Sequence, residues 1–367
     1  MRNYGANMKK IATKELLPGM VLATKVVTDN LNTIMDQGTI LDKSDIAKLV
    51  FYSIREVEIE DNGIDHYAFE VDDDHELTAL ERVRQSKEFQ EFKQNFEACA
   101  QKYKDSIDDL VSGKGSFDPK LLLTPICSLL KSGKSTSEVF YMLHNLRDYD
   151  DPTYTHCINV ALTSNILAQW LKWDESEIEK ATLAGLFHDI GKITIPEEII
   201  TKPGKLDPNE LRIMRTHPEK GFDIIKDLDM SIHIKNAALM HHERCDGSGY
   251  PKGLTAPQID VYAKIVAITD VYDAMTSARY YRKPLCPFIA LQNFEEEGLQ
   301  KYDAEMIICF LQNIVNTYLL STVRLNTGEV GEIIFINKNF LTKPTIKIGH
   351  DYIDLSKCPG VYIKEIM

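Results

Sequence analysis

Seven side chains of the types that bind divalent metals recur along the middle of this chain. Successive groups are separated by 24 to 32 residues, which is enough for one helix and one turn. Helices that bring such side chains to a common point would build a site for two metal ions. Imidazole suits iron, manganese and zinc, and one carboxylate can bridge two metals. The predicted metal ligands are His156, His188, Asp189, His217, His241, His242 and Asp270.

A site for two metal ions favours the hydrolysis of phosphate esters. The metals lower the pKa of a shared water, so that hydroxide is available at neutral pH, and they neutralise charge on the phosphate oxygens. Lys192 follows the His188–Asp189 pair by three residues and is expected to hold a phosphate oxygen or to stabilise the leaving oxygen. The net charge of −13 opposes nonspecific binding to nucleic acid, so an anionic substrate would be captured by local charge.

Four sequence motifs that occur in a fixed order distinguish this region from other stretches that contain a His-Asp pair. They are HDIGK at 188–192, KPGKL at 202–206, HHERCDGSGYPKGL at 241–254 and DVYDAMTSARYYR at 270–282. Over about residues 150–320 the chain resembles the HD-GYP family, metal-dependent phosphodiesterases of cyclic di-GMP within the broader HD superfamily. The resemblance implies an HD-type helical bundle that hydrolyses a cyclic dinucleotide.

The same resemblance implies roles for individual residues. One metal would be held by His156, His188, Asp189 and Asp270, and the other by His217, His241 and His242, with Asp189 bridging the two. Asp189 and Lys192 are the expected catalytic residues. The residues expected to contact the substrate are Tyr250, Asp273, Arg279 and Arg282. Tyr250 belongs to the loop at 246–253, called the GYP loop after its Gly-Tyr-Pro sequence. Asp273 would orient a ligand or bind a base, and a structural hydrogen bond is the alternative.

The expected metal content is two divalent ions, with iron and manganese favoured because both accept this ligand set. Some members of the family carry a glutamate four residues before the first histidine, and this glutamate supports a third metal. Here Pro152 occupies that position and offers no ligand, although Asp150 or Asp151 would come closer in an extended segment. The sequence therefore predicts two metals per site.

Three functions fit these residues. The leading one is hydrolysis of cyclic di-GMP to linear pGpG through a metal-bridged hydroxide, with further cleavage to GMP left open. The second is a phosphodiesterase of another cyclic dinucleotide, such as cyclic GMP-AMP, which the motifs do not separate from the first. The third, from another class, is a catalytically silent receptor for a cyclic dinucleotide. Loss of a metal ligand would indicate a receptor, but all seven ligands are present.

The elements that must position these residues predict a mainly α fold. Asp174 is expected to cap a helix that runs to His188, and Gly191 to stop that helix. Short β-type runs return after Thr322. Four segments are predicted: a small β-rich N-terminal module at 1–65, an acidic linker and amphipathic helix at 66–118, the HD-GYP helical catalytic domain at 119–321, and a small β appendage at 322–367.

The amphipathic segment at 76–111 bears on oligomeric state. Its aromatic and aliphatic residues recur at three- and four-residue steps, so one apolar stripe would pack on the protein's own domains or pair with a second subunit in a homodimer. No apolar run approaches the roughly 18 residues of a membrane span. Seven cysteines without a CxxC pair favour a reducing compartment, so a cytoplasmic location is expected.

Overall fold

The computed structural model describes part of each of two compact units, residues 1–76 and 77–367. The described residues are 8–13, 16, 19–27, 33–41, 45, 49, 54, 56–60, 84–113, 117–133, 136–146, 152–202, 204–277 and 285–367.

The first unit contains two small antiparallel sheets. Strand β1 (Met8–Ala12) pairs with β4 (Glu56–Glu60), and β2 (Val26–Val27) pairs with β3 (Thr33–Met35). In β4 the alternation of sequence matches the alternation of burial, because Val57 and Ile59 face an apolar cluster while their neighbours are more exposed. The prediction of a small β-rich N-terminal module is confirmed.

The second unit is mainly helical, which confirms the predicted fold class. Its described α-helices are α1 (Lys87–Val111), α2 (Leu123–Lys131), α3 (Thr136–Leu146), α4 (Pro152–Trp170), α5 (Glu175–Phe187), α6 (Glu197–Ile200), α7 (Pro208–Met214), α8 (His217–Ile225), α9 (Ile232–Met240), α10 (Val261–Thr276), α11 (Pro287–Lys301) and α12 (Ala304–Thr317). Among the described helices, none combines the length and apolarity that crossing a membrane requires.

Helix α4 lies at the centre of the bundle. Every residue in 156–168 is buried, and the helix packs against α5 and α10, while α9 packs against the same two helices. A helix that is buried on all sides must satisfy its polar side chains internally. Ser164 does so through a hydrogen bond of 2.9 Å with Thr269 of α10, and Asn165 donates to Thr182 of α5 at 2.8 Å.

Helix α5 begins after Asp174 and ends directly before the His188–Asp189 pair. Asp174 accepts a hydrogen bond from the backbone N–H of Glu177 and caps the helix, and His188 follows its last residue, as predicted. The predicted role of Gly191 as the stop is wrong, because α5 ends four residues earlier and Gly191 lies inside a 3-10 turn, Ile190–Thr194. Glycine is needed there for close approach: a Cβ at this position would lie 2.0 Å from the carbonyl oxygen of His217.

The apolar stripe of α1 is buried within the second unit, where the helix packs against α2, α3 and α4. Tyr103 makes edge contacts with Tyr154 and Phe187, and its hydroxyl donates to the carbonyl oxygen of Leu186 at 2.6 Å. The stripe therefore packs on the chain's own core. A homodimer through this helix stays a prediction and would have to use its other, polar face.

A five-stranded antiparallel sheet ends the chain. Its strands are β5 (Thr322–Leu325), β6 (Val330–Asn337), β7 (Phe340–Ile348), β8 (Asp351–Asp354) and β9 (Ile363–Ile366), in the order β8-β7-β6-β5-β9. The short β-type runs predicted after Thr322 are confirmed as strands. Strand β5 begins at Thr322, and the inner face of the sheet packs on α11 and α12 as part of the helical core.

Candidate metal centre

The seven predicted metal ligands meet inside the helical bundle although they come from five places in it. His156 is contributed by α4, the His188–Asp189 pair by the end of α5, His217 by the start of α8, the His241–His242 pair by the end of α9, and Asp270 by α10. Six of the seven are buried and His242 is half-buried. Helix ends suit this role because a side chain there can reach inward without competing for space within a packed turn.

The ligand atoms form two groups, and within each group they lie within 4.8 Å of one another. One group contains His156, His188 and Asp270, and the other contains Asp189, His217, His241 and His242. Asp189 lies between the groups: Oδ2 is 3.3 Å from Nε2 of His188, and Oδ1 is 3.3 Å from Nε2 of His217. Each oxygen of this carboxylate therefore faces one group, as a bridging ligand must.

Hydrogen bonds on the far side of the rings fix which nitrogen faces the centre. In three of the five histidines Nδ1 contacts a backbone carbonyl oxygen, which can only accept, so Nδ1 carries the proton and Nε2 presents a lone pair inward. The pairs are His188 with Gly185 at 2.7 Å, His217 with Met214 at 2.8 Å, and His241 with Ala238 at 3.0 Å. These tautomers are the ones that ligate metals.

The residues present fit divalent metals. Nε2 of His188 and Oδ1 of Asp189 are buried and make no hydrogen bond. Buried polar atoms without a partner are costly, and a cation bound in each ligand group would satisfy these lone pairs. HD-domain phosphohydrolases bind divalent metals, and both groups have the imidazole and carboxylate ligands that such metals accept.

The protonation states of most of these ligands are those that metal binding requires. Burial lowers the pKa of His217 to about 3 and also lowers the pKa values of His241 and His242, so these imidazoles are neutral. Burial alone would raise the pKa of Asp189, but Lys192 and neighbouring histidines outweigh it and hold the pKa well below its usual value. Neutral imidazoles beside ionised carboxylates can bind a cation without first losing protons.

The GYP loop packs directly on the second group. The ring of Tyr250 stacks on His242 with centroids 4.6 Å apart, and the Tyr250 backbone N–H donates to the His242 carbonyl oxygen at 3.2 Å. The guanidinium of Arg215 lies over the Tyr250 ring, 5.0 Å from its centroid. Lys192 donates to Oδ2 of Asp189. An aromatic ring and two cations therefore surround the predicted metal ligands, a suitable setting for an anionic ligand with aromatic bases.

Comparison with known proteins agrees with this geometry. Residues 140–306 match the family model described as the HD domain. A cyclic di-GMP phosphodiesterase of Pseudomonas aeruginosa is 35% identical over 207 residues, which are 56% of this chain and 50% of that protein. A cyclic di-GMP phosphodiesterase of Thermotoga maritima is 38% identical over 178 residues, or 48% of each protein. Residues 140–306 form an HD domain.

One relative in this comparison is named for a different cyclic dinucleotide. The 3′3′-cGAMP-specific phosphodiesterase 1 of Vibrio cholerae is 44% identical over 172 residues, which are 46% of this chain and 39% of that protein. The chain spans half or less of the length of each of these three relatives. Half or more of each relative therefore lies outside the matched region.

Asp273 lies behind the predicted ligand His156, on the side of the ring opposite to Asp189 and Asp270. Its Oδ2 is 2.8 Å from Nδ1 of His156, its Oδ1 accepts from the hydroxyl of Ser277 at 3.0 Å, and the side chain is only 1% exposed. Burial lowers the pKa of His156, but the carboxylates of Asp189, Asp270 and Asp273 raise it to about 10. The structure therefore favours the alternative in which Asp273 orients a ligand.

Several predicted residues lie outside the described part of the HD domain. Arg279 and Arg282 fall in 278–284, and Asp150 and Asp151 fall in 147–151, so their roles stay predictions. Sequence reasoning in turn missed two residues that the structure brings to the GYP loop, Arg215 and Glu243. Arg215 precedes the ligand His217 by two residues and Glu243 follows the ligand His242 directly, so adjacency to a predicted ligand was the available signal.

Proposed function

We propose that this protein is a metal-dependent phosphodiesterase that hydrolyses cyclic di-GMP to linear pGpG. The observation that carries the proposal is the position of Asp189, whose two oxygens each lie 3.3 Å from an imidazole of a different ligand group. A carboxylate shared by two ligand groups suits a two-metal phosphoesterase. The names of the relatives from Pseudomonas aeruginosa and Thermotoga maritima support the choice of cyclic di-GMP.

Two divalent ions, with iron or manganese favoured, would be held by the seven ligands with Asp189 in the bridging position. When bound, they would supply a hydroxide nucleophile at neutral pH and neutralise charge on the phosphate. Lys192 donates to Asp189 and thereby holds that carboxylate in place. Its ammonium carries three N–H donors, so the same group is the proposed partner of a phosphate or leaving oxygen. Asp273 would keep His156 turned toward the metals.

The substrate would be held at the GYP loop. Tyr250 offers an aromatic ring fixed in place by its stacking on His242, and a guanine base can stack on such a ring or on a guanidinium. Arg215 lies at the same ring, and Arg279 and Arg282 remain proposed contacts. Because the net charge of the chain is −13, these cations would be needed to attract a dinucleotide with two phosphates.

Cyclic GMP-AMP is the second candidate substrate. The Vibrio cholerae relative named for 3′3′-cGAMP is 44% identical over its matched region, a higher value than either of the other two relatives shows. Both compounds contain two phosphodiester bonds and at least one guanine, so the residues proposed here to bind phosphate and to stack on a base suit either one.

The proposal is tested by purifying the full chain under anaerobic conditions, quantifying its metals and assaying several cyclic dinucleotides separately. We expect about two metals per chain and turnover of cyclic di-GMP with pGpG as the first product seen by chromatography. Preferential turnover of cyclic GMP-AMP would support the second candidate. Protein that holds two metals and binds cyclic di-GMP without cleaving it would contradict the enzyme and indicate the receptor.

Arg215 provides a prediction about substrate binding. Because its guanidinium is proposed to contact the substrate and not a metal, Arg215→Ala should raise the KM for cyclic di-GMP by about tenfold or more, the loss expected for one charge-assisted contact. Metal content should not change. Arg212→Ala is the matched control, since Arg212 is an exposed arginine on α7 that donates to Asn209. Equal KM values for the two variants would rule out the proposed contact.

A further inference from the structure

We infer that Glu243 is a positioning residue that fastens the GYP loop to the metal centre, an inference that rests on the proposed function. Glu243 follows the metal ligand His242 and is only 2% exposed. Its Oε1 accepts from the backbone N–H of Lys252 at 2.7 Å, and its Oε2 accepts from the backbone N–H of Leu254 at 2.9 Å. Both donors follow Tyr250 by a few residues, so the carboxylate holds the far end of the loop.

The carboxylate and the loop satisfy each other. A buried carboxylate is costly unless hydrogen bonds compensate it, and backbone N–H groups in an irregular segment need an acceptor when they turn away from water. The two hydrogen bonds of Glu243 meet both needs, and each is strengthened by the negative charge. Removal of that charge should therefore act first on the loop that supplies the donors.

The loop folds back tightly onto the segment that carries Glu243. Tyr250 donates its backbone N–H to the His242 carbonyl oxygen at 3.2 Å. At Gly249 even one added carbon would collide, because a Cβ would lie 2.4 Å from the backbone N of Arg244 and from Cα of Glu243. Two attachments thus set the position of the Tyr250 ring on His242. One is the backbone hydrogen bond of Tyr250 itself, and the other joins the residues that follow Tyr250 to the carboxylate of Glu243.

The segment that carries Glu243 is itself anchored. Arg244 donates to the carbonyl oxygen of His241 at 3.1 Å, and its guanidinium lies 5.1 Å from the ring centroid of Tyr302. Cys245 donates its backbone N–H to the carbonyl oxygen of Lys301 at 2.8 Å. Glu243 therefore connects a fixed metal-binding segment to a loop that would otherwise be attached more loosely.

The substitution Glu243→Gln tests this role with almost no change of volume. Glutamine has one acceptor oxygen and an NH2 group, so one of the two backbone N–H groups would lose its acceptor and face a donor instead. The loop should loosen while the metal ligands stay in place. Glu198→Gln is the matched control, because it removes the same charge from an exposed position on α6.

Four measurements on the full, metal-loaded protein separate loop positioning from a merely structural role. For Glu243→Gln we expect unchanged metal content and nearly unchanged hydrolysis of bis(p-nitrophenyl) phosphate, a small diester without bases that needs only the metals. The kcat/KM for cyclic di-GMP should fall by about tenfold or more, mainly through KM. Amide hydrogen exchange over 250–254 should accelerate by about tenfold.

The outcomes can be told apart. If both substrates lose activity equally and metal is lost, Glu243 supports the metal site and not the loop, and the inference is overturned. It is also overturned if exchange over 250–254 and the KM for cyclic di-GMP match those of Glu198→Gln. If the wild-type protein cleaves only bis(p-nitrophenyl) phosphate, the proposed substrate is wrong. In that case the exchange measurement still decides whether Glu243 holds the loop.

Discussion

Asp189→Ala should lower hydrolysis of cyclic di-GMP at least about 100-fold and empty most of the metal site. Loss of a residue that merely supports a ligand typically costs 10–100-fold in metal affinity or activity, and Asp189 is proposed to ligate both ions directly. Its two oxygens face Nε2 atoms of both ligand groups at 3.3 Å, so no neighbouring side chain duplicates its position among the described residues. Metal quantification and steady-state kinetics on the same preparation measure both effects.

Asp223→Ala is the control for this experiment. Asp223 lies on α8, the helix that begins with the ligand His217, but it forms a surface ion pair with Lys226 at 2.9 Å. Surface ion pairs contribute little to stability, so metal content and activity should stay at the wild-type level. An Asp189→Ala variant that kept its metals and more than about a tenth of the activity would refute the bridging assignment.

Gly191→Ala should destabilise the fold by about 3 kcal/mol and remove the metal held by the second ligand group. The added Cβ would lie 2.0 Å from the carbonyl oxygen of His217 and 2.6 Å from the backbone N of Gly221, and neither backbone atom can move without shifting α8. Because α8 begins with His217, relief of the collision displaces a metal ligand. Denaturant unfolding and metal quantification are the measurements.

Gly298→Ala is the matched control for that substitution. Gly298 lies in α11, and a Cβ there would meet its nearest neighbour, a side-chain atom of Phe294, at an ordinary contact distance of 3.5 Å. Alanine in a helix is favoured over glycine by about 0.5–1 kcal/mol, so this variant should be as stable as the wild type or more stable. If Gly191→Ala unfolded at the same denaturant concentration as the control, close packing at Gly191 would not be required.

The convergence of the seven predicted metal ligands could be anticipated from the sequence because the information that marks them is local. Each ligand belongs to a short motif, and the gaps between motifs match one helix and a turn, so convergence in a bundle could be expected without knowing the packing. The helix of Asp174 and the strand Glu56–Glu60 were predictable for a similar reason, since capping and alternation are written into neighbouring residues.

Residues whose role depends on a distant partner were not predictable in this way. Asp273 contacts His156 across 117 positions, and only the packing of α10 on α4 shows that its carboxylate lies against the ring of this predicted ligand. Gly191 was interpreted as a helix stop because the sequence alone does not show its close contact with α8. Glu243 belongs to a motif, but no separate role was predicted for it. Its partners are backbone N–H groups, which the side chains in a sequence do not identify.

Helix α1 determines how much of the chain must be present for the apolar core around the HD domain to stay covered. A fragment cut to 140–306 would lack Phe89, Phe92 and Phe96, whose buried rings fill the bundle, and Leu186 would lose the hydroxyl of Tyr103. An uncovered apolar groove of that kind promotes self-association. Activity measured on shortened versions of the protein would then reflect aggregation as well as catalysis. The part of the chain that matches the HD domain is therefore smaller than the part whose side chains form its core.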